Sequence, residues 1–126
     1  MRLLLDTNVL IALARRTLPD IDPGIGSALA APENILFASA ASFWEIAIKT
    51  RIGKLKPGVP LDQMAGYFQA MGLNLLAIDH RHAVTSIEPE PATRDPFDWL
   101  LLAQCKVENL RLVTIDRALS AHPLAW

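Results

Sequence analysis

The alternation of short apolar segments with segments of helical spacing constrains this 126-residue chain more than any other feature. Strands that alternate with helices favour a parallel sheet covered by helices on both faces. We therefore expect an α/β fold, a three-layer sandwich with a central, mainly parallel sheet flanked by helices. The apolar runs of strand length that predict its buried strands are Met1–Leu5, Ile35–Ala38, Asn74–Ile78 and Leu110–Ile115.

Capping residues, prolines and glycines predict the limits of the helices between these strands. One helix begins at Asp95-Pro96 and runs to about Val107, and the segment before it, Glu88–Thr93, is expected to be a loop. The last residues of the chain are expected to form an edge strand. The other predicted helices are Thr7–Arg15, Gly24–Ala31 after a break around Pro19–Pro23, Ser39 or Ser42 to about Arg51, Pro60 to Gly72, His80–Ile87 and Asp116–Ala121.

Size and composition limit the classes of protein that this chain can represent. The length predicts one domain over residues 1–126, and an apolar content of 52% argues against disorder. A net charge of −1 excludes the strongly basic surface of a general nucleic-acid binder, so such contacts need a local patch or a bound cation. The single cysteine, Cys105, cannot form an intrachain disulfide, and polar residues interrupt the apolar run from Leu3 to Ala14. We expect a cytoplasmic protein without a membrane segment.

Four acidic residues are expected at one edge of the sheet. Ligands of parallel α/β sheets bind beyond the carboxyl ends of the strands. Asp6 follows the first strand and Asp116 follows the fourth, and both strands are expected to be central. Glu45 lies early in the helix after the second strand, and Asp98 lies near the start of the helix that leads into the fourth. We therefore expect these carboxylates to converge.

Converging carboxylates imply a bound cation, because they repel one another and raise one another's pKa unless a cation neutralises them. Oxygen ligands suit Mg²⁺ or Mn²⁺, whereas His80, His82 and His122 have no cysteine pair with which to form a zinc site. Mg²⁺ typically engages phosphate oxygens. The predicted chemistry is therefore phosphodiester hydrolysis, in which one or two metal ions activate water and stabilise the leaving oxygen.

Each acidic residue also has a purely structural explanation. Asp6 and Asp116 are placed to cap the helices that follow them, and Asp98 is typical of a helix first turn. Glu45 is one turn from Lys49 and suited to pair with it, although its mostly apolar helix would bury it or place it at a cleft. Capping alone does not explain why all four acids fall at one edge, which favours the functional interpretation.

Four segments contain these acids together with characteristic neighbours. They are Leu3-Leu4-Leu5-Asp6-Thr7-Asn8, Ser42-Phe43-Trp44-Glu45-Ile46-Ala47-Ile48-Lys49 with Gly53-Lys54-Leu55, Arg94-Asp95-Pro96-Phe97-Asp98 with Leu101-Leu102-Ala103-Gln104, and Leu112-Val113-Thr114-Ile115-Asp116. In this order they resemble the motifs of PIN-domain proteins, and in particular the VapC toxins of bacterial VapBC toxin–antitoxin pairs. Each motif is weak alone, but the ordered set is highly specific and spans nearly the whole chain.

The resemblance implies a Mg²⁺- or Mn²⁺-dependent endoribonuclease that forms a homodimer. It also implies a cognate VapB-type antitoxin, joined to the toxin in a hetero-oligomer, whose tail occupies the active-site groove. Thr7 and Thr114 match hydroxyl positions in the motifs and are expected to orient carboxylates or waters, or else to cap backbone groups. The catalytic and metal-binding residues that the resemblance implies are Asp6, Glu45, Asp98 and Asp116.

Two residues depart from the family pattern. Relatives often carry Arg directly after the third-motif Asp, where this chain has Trp99, and His before Arg-Asp-Pro, where it has Thr93. The loss of a cation beside Asp98 bears on phosphate handling and on antitoxin contacts there. The four carboxylates are retained, so the catalytic prediction stands.

A basic segment after Glu45 supplies candidate contacts to RNA. Its side chains are suited to bind phosphates beside the metal site, although Lys and Arg also favour helix C-termini for electrostatic reasons. The candidates are Lys49, Arg51, Lys54 and Lys56, with Arg94 and Arg81 as weaker ones.

Three other functions fit parts of the sequence. A phospho-receiver domain shares the length and alternation, but it needs paired acids after the first strand and a lysine ending a late strand, where this chain has Asp6-Thr7 and Asp116. A metal-free ribonuclease would use His80 and His82 as acid and base, yet residues two apart on a helix point to different faces. The third is a PIN-like domain that binds RNA or a partner but has weak or no catalysis.

Overall fold

The computed structural model describes residues 1–18 and 22–126, so part of the predicted break around Pro19–Pro23 lies outside the described residues. Within these ranges a four-stranded sheet runs in the order β3-β2-β1-β4, and every pairing is parallel. Its strands are β1 (Arg2–Leu5), β2 (Ile35–Ser39), β3 (Asn74–Leu76) and β4 (Arg111–Val113). The predicted α/β fold with a parallel sheet is confirmed.

The helices follow the predicted order. A single 3₁₀ turn (Leu61–Gln63) comes before the fourth of them. The α-helices whose bounds lie within the described ranges are α1 (Thr7–Arg15), α2 (Pro23–Ala30), α3 (Ala40–Arg51), α4 (Met64–Ala70), α5 (His80–Val84), α6 (Pro96–Glu108) and α7 (Arg117–Ser120).

Several details of the sequence prediction are wrong, among them the third and fourth strands, which were expected to extend to Ile78 and Ile115 but end at Leu76 and Val113. The helix predicted to run to Ile87 ends at Val84, because Thr85 adopts an extended conformation that lets Ile87 enter the core. The last residues form only an isolated bridge, Leu112 to Ala125, instead of an edge strand. Finally, β4 is an edge strand and not a central one, although it pairs directly with β1.

Alternating residues of β1 face two separate apolar layers. Leu3 and Leu5 pack with Phe68 of α4 on one face, and Leu4 packs with Leu101 of α6 on the other. Since both faces are covered, the strands are mostly apolar, as expected for a parallel sheet, and each contains one polar residue at its first or last position. Cys105 of α6 is fully buried in the second of these layers. Among the helices in the described ranges, none is long and apolar enough to span a membrane.

A buried amide links the sheet to α6. The Ser39 hydroxyl at the end of β2 accepts from the Ala41 amide and donates to Gln104 Oε1 at 2.5 Å. Gln104 Nε2 in turn donates to the Ala77 carbonyl at 3.3 Å. Ser39 and Gln104 are both fully buried, so their hydrogen bonds replace those that water would make. This bridge fixes α6, which carries Asp98, against the carboxyl edge of the sheet.

We expect Gln104→Met to lower the free energy of unfolding by about 1–3 kcal/mol, because the Ser39 hydroxyl and the Ala77 carbonyl lose their buried partner while the side-chain volume is nearly kept. Urea denaturation measures the change. Gln69→Met, at an exposed position of α4, is the matched control and should change stability by less than about 0.5 kcal/mol. Equal effects of the two substitutions would contradict the role of the bridge.

Candidate functional site

The structure places all four predicted acids at the carboxyl edge of the sheet or on the helix turns that face it. Asp6 follows β1 directly, and its amide donates to the Val113 carbonyl of β4 at 2.9 Å. Glu45 lies in the second turn of α3, and Asp98 is the third residue of α6. Asp116 precedes α7, three residues beyond the end of β4. Asp6, Glu45 and Asp98 are only 3%, 5% and 8% exposed, and Asp116 is half-buried.

Asp6 has hydrogen bonds to both carboxylate oxygens. Oδ1 accepts from the Thr7 amide at 2.7 Å, and Oδ2 accepts from the Thr114 hydroxyl at 2.6 Å. The Thr114 hydroxyl also accepts from the Asp116 amide at 3.0 Å, so one side chain links two of the acids. The Thr7 hydroxyl donates to Ser42 of α3 and contacts no carboxylate of the four.

Asp98 is held by a residue that the sequence prediction did not count as part of the site. The Thr93 hydroxyl donates to Asp98 Oδ2 at 3.0 Å and accepts from the Asp95 amide at 3.1 Å. The Trp99 indole Nε1 donates to the Thr93 carbonyl at 2.7 Å. The sequence did carry a signal for this contact, because Thr93-Arg94-Asp95 and Thr114-Ile115-Asp116 share the same Thr-x-Asp spacing directly before a helix.

Glu45 pairs with Lys49 one helical turn away. Lys49 Nζ lies 2.6 Å from Glu45 Oε2, and the lysine side chain is 44% exposed whereas the glutamate side chain is 6% exposed. The hydrogen bond to Glu45 raises the pKa of Lys49, and the negative charges of Asp95 and Asp98 act in the same direction. Lys49 therefore lies within the electrostatic field of the acidic cluster as well as in a local helix pair.

The pKa values of Asp6 and Asp98 are both raised, chiefly by burial and in addition by the charges of neighbouring acids. Burial raises the pKa of Asp6 against the lowering by its hydrogen bonds, and the charges of Glu45 and Asp116 raise it further. Burial raises the pKa of Asp98 to about 6, with contributions from the charges of Asp6, Asp95 and Asp116. Burial, with a further contribution from neighbouring negative charges, therefore disfavours the ionised forms of these two aspartates.

The donor set fits a hard divalent cation, since every side-chain donor of the four is a carboxylate oxygen. Among residues 1–18 and 22–126, no three of these carboxylates have oxygens all within 4.8 Å of one another. Mg²⁺ is commonly held by one or two carboxylates with water at its remaining positions, which suits this more open spacing. The residues therefore fit a Mg²⁺- or Mn²⁺-type ion bound partly through water.

A second group, Asp79, His82 and Glu108, does bring its ligand atoms within 4.8 Å of one another. These side chains already have partners. His82 Nε2 contacts Glu108 Oε1 at 3.0 Å and its Nδ1 accepts from the Asp79 amide, while Arg81 pairs with both acids at 2.8 Å. The group joins α5 to α6 and is not a vacant cation site. Arg81, one of the weaker RNA-contact candidates, is engaged in ion pairs with this group. His82 is buried within the group, whereas His80 is exposed.

The structural explanations of the acids also hold. Asp6 caps α1, and Asp116 caps α7 by accepting from the Ala118 amide at 2.9 Å. The predicted pairing of Glu45 with Lys49 is present as well. Capping uses one oxygen of each aspartate, so it does not compete with a role at the site. The remaining basic candidates, Arg51, Lys54, Lys56 and Arg94, are all exposed.

The aromatic residues near the site differ in their surroundings. Trp44, next to Glu45 on α3, is 59% exposed and makes an edge contact with Phe97 of α6. Phe43 stacks on Phe68 in the core. Trp99 lines a groove of about 540 Å³ between α5 and α6, together with Thr85, Thr93, Arg94 and other residues. Phe43 thus packs against the core, whereas Trp44 lies on the surface.

Comparisons with known proteins agree with this arrangement. A family model described as the PIN domain matches residues 3–123. No curated protein matches the chain. Among solved structures, a chain of VapBC2 from Rickettsia felis, crystallised bound to a DNA fragment from their promoter, has a similar fold. Its TM-score is 0.63 and its identity 17%, and the match covers 99% of this chain and 96% of that chain.

We expect Asp98→Asn to stabilise the protein in the presence of a chelator. The pKa of Asp98 is about 6 in the folded state against 3.8 ordinarily. The folded state therefore binds the Asp98 proton more tightly than the unfolded state does. As a result, the free energy of unfolding falls as pH rises from about 4 to above 6. Removing this charge should increase the free energy of unfolding by about 1–2 kcal/mol at pH 7.5 and by little at pH 4.

Urea denaturation in EDTA at both pH values measures this difference. Asp62→Asn, at an exposed residue of the 3₁₀ turn, is the control and should show no such dependence on pH. A lower free energy of unfolding for Asp98→Asn at pH 7.5 would contradict the prediction, because the ionised carboxylate would then not destabilise the folded state.

Proposed function

The chain belongs to the PIN-domain family, and on this premise we propose that it is a metal-dependent endoribonuclease, the toxin of a toxin–antitoxin pair. The observation that carries the proposal is the convergence of four carboxylates at one sheet edge, where burial, and to a smaller extent charge repulsion, raises the pKa of Asp6 and Asp98. A folded chain retains such an electrostatic cost where it serves binding or catalysis.

Asp6, Glu45, Asp98 and Asp116 would hold Mg²⁺ or Mn²⁺. When bound, such an ion lowers the pKa of water and stabilises the charge on a leaving phosphate-ester oxygen. The protein's own residues supply the placement. The Thr114 hydroxyl orients Asp6, and the Thr93 hydroxyl orients Asp98. We expect cleavage products that carry a 5′ phosphate.

Basic side chains around the acids are proposed to bind the RNA backbone. Lys49 contacts Glu45, Arg51 and Lys54 follow along α3 and the turn after it, and Arg94 directly precedes Asp95. Because the net charge is only −1, this local patch, rather than the field of the whole protein, would attract phosphates. The nature of the RNA substrate does not follow from these contacts.

The proposed partner is a VapB-type antitoxin. VapBC2 is the complex in which the similar fold was crystallised. A cluster of buried carboxylates attracts a positively charged side chain, so an antitoxin tail with such a group would block the site by charge pairing. Homodimer formation is proposed with it, and exposed Trp44, Ile52 and Val84 are apolar residues available for such contacts.

The competing proposal is a PIN-like domain that binds RNA or a partner without cleaving it. Trp99 motivated this alternative, because relatives often have a cation there. In this chain Trp99 donates a hydrogen bond to the segment that positions Asp98, so its presence does not disorder the acid. The structure therefore gives no specific reason to favour loss of catalysis.

We expect Asp6→Asn to abolish RNA cleavage, with a loss of at least about 100-fold, because Asp6 is the acid closest to the centre of the sheet and a ligand carboxylate is replaced by a neutral amide. The assay is cleavage of total RNA with Mg²⁺, and growth inhibition on expression is a second readout. Asp22→Asn is the matched control, since Asp22 also caps a helix (α2) but its charge is not among those that act on Asp6 or Asp98.

The controls for this experiment separate the competing mechanisms. Near-native thermal stability of Asp6→Asn shows that its cap function survives, because Asn also caps helices well. EDTA should stop cleavage by the unmodified protein, and Mn²⁺ should restore it. Cleavage that continues in EDTA, or in Asp6→Asn, would contradict the proposed function.

We expect Lys49→Met to weaken RNA binding while it strengthens Mg²⁺ binding. The lysine offers a phosphate contact, and losing one such contact to single-stranded RNA reduces the slope of log affinity against log salt by about 0.7. It is also the positive partner of Glu45, so its removal leaves that carboxylate free for the metal ion.

Filter binding over a salt series and calorimetry with Mg²⁺ measure the two effects. Lys54→Met is the matched comparison, because Lys54 makes no ion pair within the described residues and should alter RNA binding alone. If Lys49→Met weakens Mg²⁺ binding, then Lys49 supports the position of Glu45 and does not compete with the ion.

A further inference from the structure

Two threonines at the site share one hydrogen-bonding arrangement. Thr93 and Thr114 each accept, through the hydroxyl oxygen, the backbone N–H of the aspartate two residues later, at 3.1 and 3.0 Å. Each of these aspartates, Asp95 and Asp116, then caps the following helix by accepting from an amide two residues further on, at 2.9 Å in both cases. The same local turn thus occurs on two sides of the acidic cluster.

This turn determines the direction of the hydroxyl proton. A backbone N–H can only donate, so the hydroxyl oxygen must accept from it, and the single hydroxyl proton remains for another partner. In Thr114 that proton goes to Asp6 Oδ2 at 2.6 Å, and in Thr93 it goes to Asp98 Oδ2 at 3.0 Å. Each threonine is therefore a donor of fixed direction toward an acid of the proposed metal site.

Thr93 has an additional constraint. The Trp99 indole N–H is a donor only, and it binds the Thr93 carbonyl at 2.7 Å. Trp99 and Asp98 are neighbours in the first turn of α6, so the two side chains that bind Thr93 belong to the same rigid element. Thr93 is thereby fixed relative to Asp98 at its carbonyl and at its hydroxyl.

We propose that Thr93 is a positioning residue for the metal site, held by Trp99 so that its hydroxyl orients the Asp98 carboxylate. The proposal rests on the proposed function. The hydroxyl engages Oδ2, and within the described part of the chain no hydrogen bond engages Oδ1, which leaves that oxygen for a cation. The residues at positions 93 and 99 then form one coupled unit instead of two independent departures from the family pattern.

The test measures the affinity of the full chain for Mn²⁺ directly by electron paramagnetic resonance. It requires no cleavage assay. Residues that orient a metal ligand typically contribute 10- to 100-fold in affinity. We expect Thr93→Val, which keeps the shape but removes the hydroxyl, to weaken Mn²⁺ binding about 10-fold. Thr93→Ser, which restores the hydroxyl, should bind within about threefold of the unmodified protein.

Thr85→Val is the matched control. Thr85 lines the same groove as Thr93, but its hydroxyl donates to the Arg81 carbonyl and contacts none of the four acids. We expect unchanged Mn²⁺ affinity in this variant. Circular dichroism melts verify that all variants are folded, and Thr93→Ser keeps the test decisive if Thr93→Val is unstable.

Trp99→Phe tests the coupling, because it removes the indole N–H and keeps an aromatic ring. We expect weaker Mn²⁺ binding in this variant, about threefold, and no further loss when it is combined with Thr93→Val, since the two act through one contact. Additive losses would contradict the coupling.

The outcomes separate this proposal from the proposed function. If the unmodified protein does not bind Mn²⁺, the metal site fails and this proposal fails with it. If the unmodified protein binds Mn²⁺ and Thr93→Val binds equally well, the metal site stands and the role of Thr93 is refuted. Equal weakening in Thr93→Val and Thr93→Ser would also refute it, because the hydroxyl would then not be responsible.

Discussion

The structure depends on a balance at the carboxyl edge of the sheet, where burial raises the free energy of the charged acids and directed hydrogen bonds lower it. Asp6 and Asp98 are almost inaccessible, yet each accepts a hydrogen bond from a threonine, and Glu45 has an ammonium partner in Lys49. The hydrogen bonds are too few to cancel the cost of burial, as the raised pKa of both aspartates shows. A divalent cation bound as proposed above would relieve the remaining repulsion, whereas without one the burial of these acids costs stability.

Helix capping and site chemistry use the same residues without conflict. A carboxylate has two oxygens, so Asp116 caps α7 with Oδ1 while Oδ2 remains for other partners. The Thr-x-Asp turn adds a further link, since the amide of the capping aspartate fixes the threonine hydroxyl, and the hydroxyl then holds a different acid. Local structure that ends a strand or loop and begins a helix therefore also orients groups far apart in the chain.

The sequence predicted much of the fold and the four acids, for reasons that can be stated residue by residue. Asp6, Asp95 and Asp116 were correctly expected to cap helices, because a cap depends only on neighbours within a few residues. Thr93 was treated as the loss of a histidine, although its Thr-x-Asp spacing matched that of Thr114. Its contact with Asp98 depends on the path of an irregular loop, and neither composition nor periodicity specifies such a path.

The sequence alone determined the alternation of strands and helices, the oxygen-only chemistry of the candidate ligands and the pairing of Glu45 with Lys49 one turn away. These properties depend on residue type and on contacts within one or two turns. Only the tertiary structure decided that β4 lies at the edge of the sheet, that Thr114 bonds an aspartate 108 residues away, and that the Trp99 indole binds Thr93. Such contacts arise from how α6 packs on the sheet, and the free energy of that packing is shared among many side chains instead of being encoded in one segment.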